Sequence, residues 1–380
     1  MKVSFYGHVR QYQRIQKEID ANIAKVLASG EYVHGPMNKQ FEKEFAEFSG
    51  TKYAIPCGNG TDALWLALMA LGIGKGDEVI THANTFFAPA EAIWIAGATA
   101  VLVDCCPNTK NICPENIKKA ITSRTRCIMP VHLYGQCADM PAIKKIADEH
   151  KLWVIEDNAQ AIDAAGDTFK IGELSDAVAT SFIIQKNLGC FGDGGAIVTN
   201  NEQINKVTRL LRAHGSPARN VHSFGFNSRL DDIQAGVLSA KLKCIHTWND
   251  ERIKWAARYT AGLQGAKSFD LPYAKPGYRH VWHLYVIEAK DPTKRDAMLK
   301  YLNDHGVDAK THYSIAIHQQ AGYPWGKDAR IVGPLTNAEK NAASCISMPM
   351  FPELTAEEVA RWTPLQRLVQ NAVGMMAPVL

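Results

Sequence analysis

The chain has 380 residues, with 46% apolar and 21% charged residues, as in a globular protein large enough for two domains. The net charge is only +4 and no run of lysine and arginine is present, which argues against nucleic-acid binding. The uncharged stretches 63–73 and 92–103 are too short to span a bilayer, and residues 1–10 lack the apolar core of a signal peptide. Nine cysteines without a C-x-x-C pair favour reduced thiols over a metal site, so we expect a cytoplasmic protein without membrane contact.

Between about residues 50 and 200, short apolar runs alternate with segments of helical periodicity. This alternation predicts an α/β fold whose mostly parallel sheet is flanked by helices on both faces. In such sheets, ligands bind at the carboxyl ends of the strands. The predicted strands are 53–56, 78–81, 99–103, 127–131, 153–155, 177–184 and 196–199, and the predicted helices are 61–71, 114–120, 140–150 and 202–214.

The pattern changes beyond about residue 242. A long polar helix is predicted at 246–264, and a strand of alternating character follows at 280–287. Further helices are predicted at 294–305 and 356–372. These elements predict a smaller C-terminal α+β domain, so we divide the chain into a large domain, 1–245, and a small domain, 246–380.

A glycine-rich turn, Gly58-Asn-Gly-Thr-Asp-Ala63, follows the first predicted strand and opens the helix that begins near Thr61. A helix N-terminus presents free N–H groups and a positive dipole end, so this turn predicts a phosphate site. The spacing also matches G-x-G-x-x-A, but a dinucleotide site needs an acid at the end of the second strand, where Thr81 and His82 stand. A lone phosphate therefore suits the turn better, and a purely structural turn is the alternative.

Carboxylates follow the predicted strand 153–155, at the edge where ligands bind. Asp157 there can keep a pyridine nitrogen protonated, which lets the ring accept electrons from a carbanion. An equally weighted alternative is that Asp157 caps a helix that follows it. Its neighbour Glu156 should point to the opposite side of the strand. Gln160, about one helical turn further on, is placed to reach a hydroxyl group on the same ring.

Lys186 follows the predicted strand 177–184 and precedes a glycine-rich turn that ends in Gly192-Asp-Gly-Gly195. Ser181 lies five residues before it, so an amine nucleophile stands beside hydroxyl and backbone donors for an anion. A single lysine in such a loop is most often a solvated surface residue. Because Lys186 comes after the phosphate turn and the carboxylate-ended strand, the three segments together predict a pyridoxal 5'-phosphate (PLP) site.

Three further segments are less specific. Phe86, after the second strand, either stacks on a planar cofactor or belongs to the core. Asn227 opens a segment that is typical of a helix N-cap followed by acidic residues. The histidines His132, His312 and His318, each taken alone, are more often structural than catalytic.

In this order, these segments resemble the DegT/DnrJ sugar aminotransferases, within the fold-type I (aspartate aminotransferase-like) PLP enzymes. The resemblance covers nearly the whole chain. It lies in residues 29–36 (SGEYVHGP), 60–64 (GTDAL), 85–86 (TF), 130–136 (PVHLYGQ), 156–157 (ED) with Gln160, 181–182 (SF) with 186–189 (KNLG), 192–195 (GDGG), 227–231 (NSRLD), 283–285 (HLY) and 347–352 (SMPMFP).

The resemblance assigns roles around the cofactor ring. It implies that Lys186 holds PLP covalently and is the catalytic residue. It also implies that Asp157 pairs with the ring nitrogen, that Gln160 contacts the ring oxygen and that Phe86 stacks on the ring.

It also assigns roles around the phosphate. Thr61, the backbone of Asp62 and the hydroxyl of Ser181 would bind it. Asn227 would reach the phosphate of the neighbouring subunit's cofactor, which would make the functional unit a homodimer with a shared active site.

The implied reaction moves an amino group from an amino acid, with L-glutamate expected, to a keto sugar linked to a nucleotide. Residues 59–63 and 213–216 favour a 3-keto sugar, while a 4-keto sugar or a keto-cyclitol stays open. A sugar dehydratase or deaminase is a second alternative, but relatives that perform 3-dehydration carry histidine at the position of Lys186. A regulator that keeps only the fold is a third, which the intact lysine, aspartate and phosphate turn disfavour.

Two departures from the family pattern stand near the lysine. Ile183-Ile184-Gln185 replaces the usual aromatic residue and proline, and Asn158 stands where alanine is usual. We expect the first to alter the pocket wall and the substrate rather than the chemistry.

Overall fold

A computed structural model describes residues 2–218, 220–322 and 329–362. Its strands divide between a large sheet and a small one. In chain order they are β1 (Tyr53–Cys57), β2 (Glu78–His82), β3 (Thr99–Val103), β4 (Thr125–Ile128), β5 (Trp153–Asp157), β6 (Ala177–Ser181), β7 (Gly195–Thr199), β8 (Phe269–Asp270), β9 (Tyr285–Ala289), β10 (Ala329–Ile331) and β11 (Cys345–Met348).

The large sheet has eight strands in the order β1-β7-β6-β5-β4-β2-β3-β10. β7 runs antiparallel to both of its neighbours, and the other neighbouring pairs are parallel. The strands are buried along almost their whole length because helices cover both faces. The α/β class with a mostly parallel sheet is therefore confirmed.

The α-helices, in chain order, are α1 (His8–Arg14), α2 (Gln16–Ser29), α3 (Pro36–Ser49), α4 (Gly60–Ala70), α5 (Ala88–Ile95), α6 (Pro114–Ala120), α7 (Met140–His150), α8 (Glu202–Leu211), α9 (Asp232–Leu242), α10 (Ile245–Leu263), α11 (Arg295–Asp304), α12 (Thr336–Ser344) and α13 (Ala356–Trp362).

Alternation along the strands explains how the sheet is covered. In β3, Ala100 and Leu102 pack in the same core as α4 and α5, whereas Val101 and Val103 pack with α6 and α7 on the other face. A third core joins β6 and β7 to α3 and α9. Strands β1 to β7 thus each contribute to two cores, and the sheet is held between helical layers.

A three-stranded antiparallel sheet, β11-β9-β8, forms the second unit. Its core contains Trp255 and Tyr259 from α10, Tyr285 from β9 and Met298 from α11. Two of these aromatic side chains donate to backbone carbonyls, Tyr259 Oη to Pro349 O at 2.9 Å and Trp255 Nε1 to Pro352 O at 3.0 Å, and Tyr285 Oη pairs with Thr260 Oγ1 at 3.0 Å. This unit has the α+β composition that the sequence predicts for the C-terminal region.

The division at residue 245 stays a prediction, and strand pairings from both ends of the chain cross it. β10, from the C-terminal region, is the edge strand of the large sheet and pairs with β3. At the other end of the chain, Val3 forms a bridge with Val307 and packs in the core of the small sheet.

Several predicted elements differ from the structure. The strand predicted at 127–131 is β4, which ends before Pro130, a residue that cannot donate to the ladder. The strand predicted at 177–184 ends at Ser181, where the chain turns toward Lys186. The strand predicted at 280–287 begins only at Tyr285, since Trp282 adopts a positive φ of 47°.

Other differences concern helices. α1, α2, α3, α5 and α12 were not predicted, and α8 ends at Leu211 instead of 214. The last predicted helix begins at Ala356 as expected and is described through Trp362, while 363–372 lies outside the described residues. In the described part of the chain, no helix is long and apolar enough to cross a membrane.

Candidate active site

The carboxyl ends of β2, β5 and β6 meet the N-terminus of α4 around a pocket of about 610 Å³. Parallel strands collect ligand-binding side chains at this edge. The structure brings seven of the eight predicted site residues to this pocket, namely Thr61, Asp62, Phe86, Asp157, Gln160, Ser181 and Lys186.

The start of α4 forms an anion cradle. Asn59 is its N-cap, and Asn59 Oδ1 accepts the Asp62 N–H at 2.8 Å. Gly60 lies so close to β6 that a Cβ at residue 60 would stand 2.6 Å from the Cβ of Ser181. As first-turn residues, Gly60 and Thr61 have N–H groups with no acceptor within the helix. These N–H groups and the Ser181 hydroxyl suit a phosphate.

The Asp62 side chain is held by two donors. Ser228 Oγ donates to Asp62 Oδ2 at 2.7 Å, and Trp65 Nε1 donates to Asp62 Oδ1 at 3.0 Å. The Asp62 N–H already donates to the cap residue Asn59. Asp62 is therefore built into the cradle, and its predicted backbone contact with a phosphate stays a prediction.

Lys186 lies on a tight loop after β6. The Lys186 N–H donates to Ile183 O at 2.8 Å, and a Cβ at Gly189 would stand 2.5 Å from Ile184 O, so the loop requires glycine there. Burial lowers the pKa of Lys186 to about 8, and the carboxylate of Asp157 opposes that shift. A lysine with this pKa is partly neutral near pH 7 and can act as a nucleophile or a base.

Asp157 and Glu156 lie on opposite sides of β5, as predicted from strand geometry. Asp157 lines the pocket, and one of its oxygens, Oδ1, accepts the Ala159 N–H at 2.9 Å. Burial raises the pKa of Asp157, and the Ala159 N–H and Lys186 lower it. Asp157 thus faces the pocket and accepts one N–H of a turn, but the helix that the alternative expects it to cap is absent, since turns follow β5.

Glu156 is a structural residue. His132 Nε2 lies 2.7 Å from Glu156 Oε2, and the backbone N–H of Ala138 donates to His132 Nδ1 at 3.0 Å. Nε2 of His132 therefore carries the hydrogen and donates to Glu156. Glu156 Oε1 accepts from Gly172 N and from Ser175 Oγ. His132 is a satisfied buried histidine, as the sequence favours for a histidine taken alone.

Gln160, Phe86 and Tyr313 line the same pocket. Gln160 Oε1 accepts the Tyr134 N–H at 2.8 Å, and Gln160 Nε2 donates to Tyr313 Oη at 3.0 Å. Phe86 is 51% exposed, and its ring centre lies 5.5 Å from that of Tyr313. Phe86 is therefore an accessible aromatic face, and the core alternative does not describe it.

Asn227 lies outside the pocket. It is exposed and forms a backbone bridge with Ala213 in the loop after α8. Two strongly exposed apolar side chains, Phe224 and Val221, lie in the same loop. The placement agrees with a residue that acts on another subunit, and that role stays a prediction.

Other pocket residues were not assigned roles from the sequence, namely Tyr6, His283, His312 and Tyr313. The backbone bridge between Val3 and Val307 brings the N-terminal segment, and with it Tyr6, to the pocket. No local pattern in the sequence indicates this. His283 and the 312–313 segment lie in stretches that the sequence singles out, but irregular chain geometry decides that they face the pocket. The unusual residues Ile183 and Gln185 also line it.

This set of side chains fits PLP. The glycine-dependent cradle matches a phosphate, Asp157 a ring nitrogen, Phe86 a planar ring, and the Lys186 amine an aldehyde carbon. Thr85 Oγ1 is buried, belongs to a pocket-lining residue and has no hydrogen-bond partner among the described residues, so it offers a further polar contact. No group of three or more potential metal ligands occurs in the described residues.

Comparison with known proteins gives a family match over residues 13–363, to the DegT/DnrJ/EryC1/StrS aminotransferase family. A protein of Geobacillus stearothermophilus named "Pleiotropic regulatory protein" is 43% identical over 367 residues, which cover 94% of this chain and 96% of the relative. A Streptomyces venezuelae protein named "dTDP-3-amino-3,4,6-trideoxy-alpha-D-glucose transaminase" is 41% identical, over 95% of this chain and 94% of the relative.

The fold is also similar to that of a solved structure. The crystal structure of S. venezuelae DesV in complex with a ketimine intermediate superposes with a TM-score of 0.93 at 40% sequence identity. The match covers 97% of this chain and 99% of that chain. The chain therefore belongs to the DegT/DnrJ/EryC1/StrS aminotransferase family and is a PLP-dependent sugar aminotransferase.

Proposed function

We propose that the protein transfers the amino group of L-glutamate to a 3-keto sugar attached to a nucleotide. The observation that carries the proposal is the Lys186 amine, with its pKa lowered to about 8, in one pocket with Asp157 and the anion cradle of α4. The name of the S. venezuelae relative supports a 3-amino sugar as the product.

The bound cofactor supplies an electron sink that stabilises a carbanion at the carbon bearing the amino group. The cradle at Gly60, Thr61 and Ser181 would bind the phosphate and so fix the position of the ring in the pocket. Asp157 holds a proton on the ring nitrogen, and Phe86 covers one face of the ring. Gln160 directs its amide toward the ring oxygen.

Lys186 moves the proton. When its amine is free and neutral, it would take a proton from the donor's α-carbon and, once protonated, would deliver one to the carbon on the other side of the transferred nitrogen. Its lowered pKa suits both directions, because the amine exchanges a proton near neutral pH. In the second half of the reaction the same amine acts in reverse on the sugar carbon that receives nitrogen.

The first test is the visible absorption spectrum of the PLP-loaded protein before and after L-glutamate. We expect the band of lysine-bound PLP to convert to that of pyridoxamine phosphate, and the Lys186→Ala variant to show neither band conversion nor turnover. A band that ignores glutamate but responds to another amino acid would replace the donor. A wild-type protein without any such band would contradict the proposal.

The sugar is tested by running the second half-reaction backwards. The PLP-loaded protein is mixed with dTDP- and UDP-linked sugars that carry an amino group at carbon 3 or at carbon 4. We expect the 3-amino compounds alone to convert the absorption band. Conversion only by 4-amino sugars, or only by an amino-cyclitol, would show that the acceptor is a different ketone.

A further inference from the structure

A chain of buried amides begins directly beside Lys186. The next residue, Asn187, donates from Nδ2 to Asn249 Oδ1 at 2.7 Å and to the Val281 carbonyl at 3.1 Å. A backbone carbonyl can only accept, so these contacts fix which end of the Asn187 amide is nitrogen. Asn187 Oδ1 therefore faces His283, whose Nδ1 lies 3.1 Å away.

At the far end of this chain of amides, the orientation of the Asn249 amide is fixed in the same way. Asn249 Nδ2 donates to the Ile162 carbonyl at 3.0 Å and to Asp163 Oδ2 at 3.2 Å. Both acceptors lack a hydrogen, so Asn249 Oδ1 is the atom left to accept from Asn187. Arg279 holds Asp163 in place, with Nη2 donating to Oδ2 at 2.7 Å. The orientation of both amides follows from partners that can only accept.

The orientation of the Asn187 amide determines the tautomer of His283. Since Asn187 Oδ1 can only accept, Nδ1 of His283 must carry the hydrogen. Burial lowers the pKa of His283 well below its ordinary value, and the positive charges of Lys186 and Arg252 act in the same sense, as does His312. The imidazole is therefore neutral, and Nε2 keeps its lone pair. His283 and Lys186 line the same pocket.

The second histidine of the pocket has no such constraint. His312 Nδ1 lies 2.8 Å from Ser347 Oγ, and a hydroxyl group can donate or accept. The surrounding hydrogen bonds therefore leave the His312 tautomer open, whereas those around His283 determine it.

We propose that His283 is a positioning residue for Lys186: in the protein loaded with pyridoxamine phosphate, its Nε2 lone pair accepts a hydrogen bond from the Lys186 ammonium group. The bond turns the amine toward the reacting carbons and leaves the proton on Lys186. The chain through Asn187 and Asn249 keeps Nε2 free for this task. The inference rests on the proposed role of Lys186 and adds to it a partner for the free amine.

Two substitutions separate this role from a purely structural one. In His283→Asn, the shorter amide can replace Nδ1–H and preserve the bond to Asn187, but it places no acceptor at the Nε2 position. In His283→Gln, the longer amide can place an oxygen near the Nε2 position, but it abandons Asn187. If His283 only supports Asn187, the asparagine variant should be the milder one. If His283 acts on Lys186, the glutamine variant should be the milder one.

The readout is the protonation of Lys186 in protein loaded with pyridoxamine phosphate, the cofactor form that leaves the lysine free. Acetylation of Lys186 by acetic anhydride is followed against pH, with peptide mass spectrometry. An accepted hydrogen bond favours the ammonium form, so we expect the pKa of Lys186 to fall by about half a unit or more in His283→Asn. We expect His283→Gln to stay closer to wild type. The reverse order, or no change in either variant, would overturn the proposal.

A measurement on the wild-type protein needs no variant to fold. Nitrogen NMR of protein labelled with ¹⁵N-histidine distinguishes a ring nitrogen that carries hydrogen from one that does not. We expect the resonances assigned to His283 to show hydrogen on Nδ1 and a bare Nε2 at neutral pH. Hydrogen on Nε2 would overturn the proposal. Neither measurement uses turnover, so a failure to aminate any 3-keto sugar would contradict the proposed function and leave this inference intact.

Discussion

Glu156 and Asp157 are neighbours in the chain, but β5 directs them to environments of opposite kinds. Three donors surround Glu156, from His132, Gly172 and Ser175, and none of them belongs to the pocket. Asp157 faces the pocket and shares its environment with Lys186. One carboxylate therefore holds the fold together, and the other is available to a ligand.

The Glu156→Gln and Asp157→Asn variants test this division. The amide that Glu156→Gln introduces cannot accept at both ends, so either the His132 Nε2–H or the Gly172 N–H would face an N–H group. We expect a loss of stability of about 1–3 kcal/mol in Glu156→Gln with the PLP spectrum retained. Asp157→Asn keeps the acceptor for Ala159. We expect it to fold normally and to lose amino transfer on the order of a hundredfold or more.

Chemical denaturation and single-turnover absorbance measure the two effects. Equal losses of stability in both variants, or an Asp157→Asn variant with wild-type rates, would contradict the assignment.

The lowered pKa of Lys186 makes a second prediction at this scale. The folded chain disfavours the charged lysine, so its stability is reduced below a pKa of about 8 and the penalty disappears as the pH rises toward the ordinary value of 10.5. We expect cofactor-free Lys186→Met to be more stable than wild type at pH 7, with an advantage that shrinks between about pH 8 and 10.5.

Thermal unfolding of both proteins across this range checks the prediction. Lys39→Met, which removes an exposed lysine, is the matched control and should show no comparable trend. An advantage of Lys186→Met that grows with pH would contradict the sign of the shift.

Among the elements, α4 depends most on a single residue. Its N-terminus meets Ser181 only because Gly60 has no side chain. In Gly60→Ala the helix must shift by enough to relieve a 2.6 Å contact, which moves the N–H groups away from the phosphate position. Overpacking of this kind costs about 1–3 kcal/mol, so we expect the Kd for PLP to rise roughly tenfold or more.

Titration of cofactor-free protein with PLP measures this change. Gly322→Ala is the control, because a Cβ there would have no neighbour within 4 Å among the residues that the structure describes. An unchanged Kd for Gly60→Ala would show that the cradle does not depend on this approach.

Local pattern predicts the elements that carry the cofactor groups. The turn before α4, the carboxylates at the end of β5 and the lysine loop after β6 lie where sequence periodicity and motif order indicate. The contribution of Tyr6, His283 and Tyr313 could not be predicted, because it depends on a long-range bridge and on irregular backbone. The left-handed backbone of Trp282 is one such case, since nothing in an alternating apolar run indicates a positive φ.

For the whole molecule, the position of Asn227 outside the pocket agrees with the prediction of a site shared between two subunits. The exposed loop that carries it also presents Phe224, which is 77% exposed and would be covered in a dimer. We expect the Lys186→Ala homodimer and the Asn227→Ala homodimer each to have reduced activity. A mixture of the two should regain activity after the subunits exchange. One site in each mixed dimer would then contain both wild-type residues.

Exchange is verified by mass spectrometry of differently tagged subunits, and activity is measured before and after mixing. Confirmed exchange without any recovery would argue against the shared site. A mixture of Lys186→Ala with itself under a second tag controls for effects of handling.

The short strand β10 has a consequence for how the chain can be divided. It lies against β3, whose residues Ala100, Val101, Leu102 and Val103 are fully buried, and Arg330 on β10 also donates to Glu78. A fragment ending at residue 245 would leave this apolar strand as an open edge, which is a template for intermolecular pairing. We expect such a fragment to aggregate, as light scattering would show, and a separately supplied segment containing 329–331 to suppress aggregation. On this expectation, the C-terminal region protects the first part of the chain from aggregation by covering the edge of β3.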